Sequence, residues 1–328
     1  MHYPLDGGAL KLRTEEDWSR DVEPVAANAG GTTFDFEITL ERPFLYYKPV
    51  LQRHGELRWS QGPNHLLLAN GRKVRDLYPY FYADLDCGVC DLQPHRSRAG
   101  DRQHNLRIFT PPGYEENTLQ RYPVLYMQDG QNLFFPNEAT NGQHWKVEET
   151  LLLLGTMNLI KKVIVVGIYP QERLTDYTRP GYESYGRYLA EELKPWVDER
   201  HRTLPGHEHT AVAGASLGGV VSCYLGWQYP EVFGMAASMS ATFTYQDDLM
   251  ERVRLEEKRP TRFYLDSGWP EDNYEVTRAM RNALLTRGYV EGRDLLYFAF
   301  PEALHNEQSW SLRLHLPFQY FFGRSRGL

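Results

Sequence analysis

The feature that most constrains this sequence is a short apolar stretch that breaks at two glycines around a serine. Residues 211–213 are apolar and predict a buried strand, and the turn after them carries Gly214, Ser216 and Gly218 in the pattern G-x-S-x-G. A helical run over about residues 217–229 follows and ends before a proline. Strand, tight turn and helix in this order hold a serine hydroxyl at the exposed apex of a strained turn. The stretch therefore predicts a nucleophilic serine.

The same turn predicts where negative charge can be stabilised. Leu217 begins the predicted helix, so its N–H points toward the position at which an oxyanion would form beside Ser216. The alternative is a glycine-rich turn that only joins a strand to a helix. Because a chance match to the pattern rarely has both flanking elements, we prefer the nucleophile.

Composition limits the classes of protein to consider. The 328 residues suggest about two domains, and 41% hydrophobic with 24% charged residues is ordinary for a chain with a buried core. The net charge of −7 and the absence of a Lys/Arg block argue against nucleic acid as a partner. We see no secretory signal and no apolar stretch long enough for a membrane, so we expect a cytoplasmic protein, with a homo-oligomer compatible with the sequence.

The sequence changes character near residue 100. Before that point, β-favouring segments such as residues 34–47 alternate with turn signals, among them Asn70-Gly71, and residues 94–101 form a polar linker. We predict a small antiparallel β-sandwich-like domain over residues 1–100 and a catalytic domain over residues 101–328.

Strand and helix patterns alternate after residue 106, which is typical of a mostly parallel sheet with helices on both faces. The predicted fold class of this part is therefore α/β. Its predicted strands are 106–110, 124–128, 163–168, 210–213, 235–239, 262–266 and 295–300, and its predicted helices are 145–154, 185–199, 217–229, 274–286 and 307–322.

A serine nucleophile needs a histidine base and an acid that orients the histidine. Two histidines follow Ser216. His315 lies within the last predicted helix, whereas His305 lies in a loop directly after the last strand, where it can reach the carboxyl edge of the sheet. The loop after the preceding strand offers three acids, and spacing alone leaves them open: Asp266, Glu271 and Asp272.

Four segments in order resemble the putative-esterase family of α/β-hydrolases, which includes enterochelin esterase, esterase D-like enzymes, feruloyl esterases and mycolyltransferases. The resemblance covers residue 106 to the C-terminus, and the β-rich N-terminal part is similar to enterochelin esterase. The segments are YPVLYMQDGQN at 122–132, GASLGG at 214–219, DSGWPE at 266–271 and HNEQSW at 305–310.

This resemblance implies a metal-independent serine esterase without a cofactor and assigns further roles. The acid is expected three residues after a glycine, which is Glu271, and the second oxyanion N–H is expected from Gln131. The bulky pair Trp269-Pro270 can shield Glu271 from water, whereas Asp272 is expected to cap the next helix and Asp266 to fix the loop.

Other residues near these segments are candidates for binding a small-molecule or carbohydrate-linked ester. Arg173 and Tyr177 follow a predicted strand and are candidates for substrate contact, but we prefer a structural Arg–Asp pair. Trp145, Trp269 and Trp310 can wall an apolar pocket or belong to the core.

Two further possibilities concern the first hundred residues. Cys87 and Cys90 form a lone C-x-x-C without a second ligand pair, so we predict no metal site. The alternative to an esterase is a non-catalytic or acyl-transferring homologue whose N-terminal domain holds carbohydrate on exposed aromatic side chains, with Phe44, Tyr46, Tyr47 and Trp59 as the candidates.

Overall fold

The computed structural model describes residues 1–69, 74–82 and 88–324, which form two compact units. The first boundary between the units falls at residue 88, because the strand at residues 93–96 pairs with the strand at residues 103–110 in the second unit, and two later segments belong to the first unit. The hairpin signal Asn70-Gly71 and Cys87 lie outside the described residues. Unit 1 contains Met1–Gly88, Pro111–Arg121 and Gly155–Asn158, and unit 2 contains Val89–Thr110, Tyr122–Leu154 and Leu159–Leu328.

Unit 1 is built from antiparallel strands, as predicted. Its five-stranded sheet has the order β2-β1-β5-β6, with β7 also pairing with β5, and β3 pairs with β4. Alternation along β5 buries Leu45 and Tyr47 and exposes Phe44 and Tyr46, so one face of the sheet covers a core. The strands are β1 (Ala9–Thr14), β2 (Asp17–Val22), β3 (Ala26–Ala27), β4 (Phe34–Asp35), β5 (Phe44–Arg53), β6 (Glu56–Trp59) and β7 (His65–Leu68).

In the described part of the chain, the main sheet has nine strands in the order β16-β15-β14-β13-β11-β12-β10-β8, with β9 on β10. The six strands from β11 to β16 pair in parallel, and β10 is antiparallel to β12. Four of them, β11 to β14, are buried at every residue, as a parallel sheet covered on both faces requires. The strands are β8 (Gly88–Val89), β9 (Gln93–Arg96), β10 (Gln103–Thr110), β11 (Val124–Gln128), β12 (Ile164–Ile168), β13 (Thr210–Ala215), β14 (Met235–Met239), β15 (Arg262–Trp269) and β16 (Leu295–Pro301).

Each predicted helix has a counterpart in the structure, and two short helices, Arg173–Tyr177 and Leu249–Leu255, have no counterpart in the prediction. The segment predicted as one helix over 185–199 is two helices joined by a π-helical turn at Leu189–Leu193, and the last predicted helix is divided at Leu314. The helices are α1 (Val147–Thr156), α2 (Arg173–Tyr177), α3 (Gly181–Tyr188), α4 (Lys194–Arg200), α5 (Leu217–Gln228), α6 (Leu249–Leu255), α7 (Tyr274–Thr286), α8 (Glu307–Arg313) and α9 (His315–Phe322). Within the described ranges, no helix combines the length and the apolar character needed to cross a membrane.

The topology determines where polar side chains can meet. Because β11 to β16 are parallel, the segments that follow them emerge at one edge of the sheet. The segments after β11, β13, β14, β15 and β16 begin near Asp129, Ser216, Ser240, Asp272 and His305, respectively.

Candidate active site

The turn between β13 and α5 has the strained geometry that the sequence predicts. Ser216 has φ 57° and ψ −125°, a conformation that non-glycine residues rarely adopt. A Cβ atom on Gly214 would lie 2.4 Å from the Gly218 carbonyl oxygen, so only glycine fits at that position. The Ser216 N–H is anchored by a 3.0 Å hydrogen bond to the carbonyl of Met239. The turn therefore holds a partly exposed serine above the sheet edge.

The two predicted oxyanion donors lie at the starts of helical segments. Leu217 is the first residue of α5, and Gln131 lies in a one-turn 3₁₀-helix at Gly130–Asn132, directly after β11. The first N–H groups of a helix have no partner within the helix. A Cβ atom on Gly130 would lie 2.6 Å from the carbonyl carbon of Gly167, so this loop packs tightly against β12. Both N–H groups stay predicted oxyanion donors.

A bidentate ion pair stabilises the loop that carries Gln131. Arg173 donates from Nε and Nη2 to the two carboxylate oxygens of Asp129, at 2.8 and 2.9 Å. Asp129 has φ 55°, and its N–H donates to the Tyr177 hydroxyl at 2.9 Å. Tyr177 is fully buried, so the prediction that it contacts substrate is wrong; it supports the loop instead. Arg173 forms the structural Arg–Asp pair that the sequence suggests, with Asp129 as its partner.

We predict that Arg173→Ala lowers kcat for ester hydrolysis about 10- to 100-fold, because Asp129 would lose a charge-assisted pair that fixes the oxyanion loop. Arg173→Lys should recover little of the lost kcat, since an ammonium group cannot form the same bidentate pair with Asp129. Arg179→Ala is the matched control, because its exposed guanidinium pairs with Glu183 and Asp248 away from Asp129. Steady-state kinetics on the three purified variants test this, and wild-type kcat in Arg173→Ala would contradict it.

The structure assigns a different acid to His305 from the one predicted. His305 Nδ1 lies 2.5 Å from Oδ1 of Asp272, whose side chain is only 1% exposed. Glu271, the predicted acid, is exposed. The prediction that Glu271 orients His305 is therefore wrong, since the next residue along the loop occupies that position.

Asp272 is also not the helix cap that the sequence suggests. Asn273 is the residue before α7 and has no side-chain capping bond, while Asp272 and Asn273 both have φ 61°. With these two residues in the left-handed conformation, the side chain of Asp272 is buried. Its Oδ2 accepts from the Gly268 N–H at 2.8 Å and from Ser240 Oγ at 2.6 Å. Burial raises the pKa of Asp272, but the hydrogen bonds from His305, Ser240 and Gly268 outweigh it and hold that pKa below its usual value.

Asp266, the third candidate acid, has a separate buried environment. It is fully buried, accepts from the Tyr264 hydroxyl at 2.7 Å and pairs with Arg313 at 3.2 Å. Burial raises the pKa of Asp266 to about 6, against the opposing effect of Arg313. Asp266 thus pairs with groups of β15 and α8 and its carbonyl accepts from the Ser240 N–H, while its expected role in fixing the loop stays a prediction.

The three tryptophans divide between core and surface. Trp145 is 1% exposed and Trp310 is 7% exposed, and their ring centroids lie 5.6 Å apart. The prediction that these two wall a substrate pocket is therefore wrong, although Trp310 packs edge-on against the His305 ring at 5.0 Å. Trp269 is 47% exposed at the end of β15 and stays a candidate for substrate contact.

The cysteines have structural surroundings. Cys90 is partly exposed and its sulfur accepts from the Ile108 N–H at 3.2 Å. Cys223 is buried, and burial raises the pKa of its thiol. Among the residues that the structure describes, no group of three or more His, Cys, Asp or Glu side chains could hold a metal ion.

The turn geometry, the mostly parallel sheet and the order of serine, acid and histidine define an α/β-hydrolase fold. The sequence profile of the putative esterase family matches residues 97–315. The chain belongs to this family and is an esterase.

Individual relatives are distant in sequence. An uncharacterised protein from Bacillus subtilis, YbbA, is 23% identical over 255 residues, which cover 70% of this chain and 96% of the relative. The ferulic acid esterase of Anaeromyces mucronatus superposes with a TM-score of 0.57 at 18% identity, covering 76% of this chain and 96% of that one. The enterobactin esterase FES of Shigella flexneri gives a TM-score of 0.59 at 16% identity, covering 95% and 87%. These likenesses confirm the fold.

Proposed function

We propose that the protein hydrolyses carboxylic esters through a triad of Ser216, His305 and Asp272. The observation that carries this proposal is the 2.5 Å contact between His305 Nδ1 and the buried Asp272, in a fold that holds Ser216 in a strained turn at the same sheet edge. An ionised acid on Nδ1 leaves Nε2 of the imidazole unprotonated and able to act as a base.

The proposed reaction has two stages. His305 Nε2 takes the hydroxyl proton as Ser216 Oγ attacks the ester carbonyl, and the N–H groups of Leu217 and Gln131 stabilise the oxyanion. His305 then gives the proton to the departing alcohol, which leaves an acyl-serine. In the second stage His305 activates a water molecule, which releases the acid and restores Ser216. An alcohol in place of water would give acyl transfer through the same intermediate.

Exposed apolar side chains at the sheet edge support a substrate with an apolar or aromatic part. Leu174, Tyr245 and Leu304 follow β12, β14 and β16, respectively, Trp269 is the last residue of β15, and each of the four is 47–58% exposed. Large exposed apolar groups gathered at one end of a fold mark binding surfaces. Because the Anaeromyces mucronatus protein named above is a ferulic acid esterase and ferulic acid is an aromatic acid, we propose an aromatic acyl ester, either free or linked to carbohydrate.

A panel of esters tests this proposal. We expect turnover of p-nitrophenyl acetate and a higher kcat/KM for methyl ferulate than for an aliphatic methyl ester of similar size. Trp269→Ala should reduce this preference, with Trp18→Ala as the control because Trp18 is a similarly exposed tryptophan of unit 1. No hydrolysis of any ester by folded protein would refute the function, whereas equal rates on both methyl esters would refute only the aromatic acyl group.

We predict that EDTA leaves the rate of ester hydrolysis unchanged, because every proposed step uses groups of the chain itself. The measurement is the rate with p-nitrophenyl acetate before and after dialysis against EDTA. A loss of activity that Zn²⁺ or Mg²⁺ restores would contradict the mechanism.

A carbohydrate-binding role for unit 1 is the second candidate, and one observation favours it. Phe44 and Tyr46 are 45% and 39% exposed on the face of β5 opposite the core, with ring centroids 5.9 Å apart. Tyr47 is buried, so the prediction that it joins a sugar-stacking surface is wrong, while Trp59 is partly exposed. Retarded migration in polysaccharide-containing gels, lost in Phe44→Ala/Tyr46→Ala, would support this role; unchanged migration of the wild type would exclude it.

A further inference from the structure

Ser240 occupies a position that the proposed mechanism above does not use. It directly follows β14, is fully buried and has φ 45°. Its hydroxyl lies 2.6 Å from Oδ2 of Asp272, 3.0 Å from Nε1 of Trp310 and 2.7 Å from Nη2 of Arg313. One buried hydroxyl therefore joins the acid that contacts His305 to two donor side chains from α8.

The three contacts determine where the hydroxyl proton lies. A serine hydroxyl has one proton to donate and two lone pairs to accept with. The indole of Trp310 and the guanidinium of Arg313 can only donate, so they occupy both lone pairs. The Ser240 proton must therefore point at Asp272, and the hydroxyl cannot rotate to another acceptor without leaving a buried donor unsatisfied.

The same hydroxyl bridges Asp272 and a neighbouring cation. Arg313 Nη2 lies 3.2 Å from Oδ1 of Asp266 but 3.7 Å from Oδ2 of Asp272. Arg313 thus lies closer to Asp266, while Oδ2 of Asp272 accepts from Ser240 and Oδ1 of Asp272 contacts His305. A closer Arg313–Asp272 pair would draw the carboxylate away from the imidazole.

The backbone around Ser240 holds this arrangement in place. Its N–H donates to the Asp266 carbonyl at 2.7 Å, and its carbonyl accepts from Asn273 Nδ2 at 2.8 Å. Ser240, Asp272 and Asn273 all have positive φ, and such conformations persist where surrounding bonds over-determine them. We propose that Ser240 is a positioning residue that fixes the Asp272 carboxylate for His305, an inference that rests on the proposed function.

Ser240→Ala tests the inference with two readouts. We expect kcat for p-nitrophenyl acetate to fall about 10- to 100-fold with KM within about twofold, as for loss of a hydrogen bond to a charged group that does not touch substrate. The far-downfield ¹H NMR signal of the proton between His305 Nδ1 and Asp272 should shift or disappear. This second readout needs no substrate, so it decides the positioning role even if the wild type hydrolyses no ester.

Ser238→Ala is the matched control, because Ser238 is equally buried in β14 and donates only to the Gly219 carbonyl, at 2.7 Å. Should Ser240→Ala fail to fold, Ser240→Cys keeps the side-chain size with a much weaker donor and should give the same changes. A folded Ser240 variant with the kcat and the downfield signal of the wild type would overturn the inference. An equal loss of kcat in Ser238→Ala would overturn it as well, because the effect would then belong to any buried serine of this strand.

Discussion

Ser216→Ala is expected to lower kcat for ester hydrolysis by a factor on the order of a million, the scale seen when a serine nucleophile is removed. No acyl-enzyme can form without the hydroxyl, so only the oxyanion donors and substrate binding would remain to assist water. The fold should persist, because alanine can adopt φ 57° at the same strain as serine and the side chain is only partly buried. Steady-state hydrolysis of p-nitrophenyl acetate measures kcat, and thermal denaturation measures the stability of the variant.

Ser222→Ala provides the matched control for this substitution. Ser222 lies in α5, which begins directly after Ser216, is fully buried and donates to the Gly218 carbonyl at 2.7 Å. It should retain kcat within a fewfold of the wild type. A folded Ser216→Ala protein that keeps more than about one thousandth of wild-type kcat would show that another group is the nucleophile.

Asp272→Asn is expected to reduce kcat about ten-thousandfold, whereas the neighbouring Glu271→Gln should stay within about threefold. The asparagine amide can donate to Nδ1 and would favour the imidazole tautomer with its proton on Nε2, where it cannot accept from Ser216. Glu271 is exposed, and the structure gives its carboxylate no contact with His305 among the described residues.

The comparison of these two variants separates adjacent carboxylates on one loop. Both substitutions remove one negative charge at nearly the same place, so a general electrostatic effect would lower both rates alike. The measurement is kcat of both variants at one fixed pH, with circular dichroism as a check of folding. A large loss of kcat in Glu271→Gln, together with near wild-type kcat in Asp272→Asn, would show that Glu271 is the acid.

The parts of the site that the sequence predicts are those that local pattern encodes. The G-x-S-x-G turn needs glycine at 214 because the Gly218 carbonyl would clash with a side chain there, and this constraint is visible in the residue type. His305 is predictable because it directly follows the last strand of a parallel sheet. The fully buried strands β11 to β14 are likewise visible as short apolar runs.

The parts that the sequence misses depend on tertiary geometry. The choice of Asp272 over Glu271 rests on two consecutive left-handed residues and on the contact with the Gly268 N–H, neither of which the spacing from a glycine reveals. Tyr177 lies beside the site in sequence order, but its hydroxyl is buried under the oxyanion loop. The role of Ser240 depends on contacts with residues that are distant in sequence, so no local pattern predicts it.

Covalent labelling with a fluorophosphonate probe, followed by peptide mass spectrometry, tests the central claim most directly. The expected result is one adduct, on Ser216, in the wild-type protein, none in Ser216→Ala and much slower labelling in Asp272→Asn. An adduct on a different serine, or no adduct on folded wild-type protein, would contradict the proposed serine esterase mechanism.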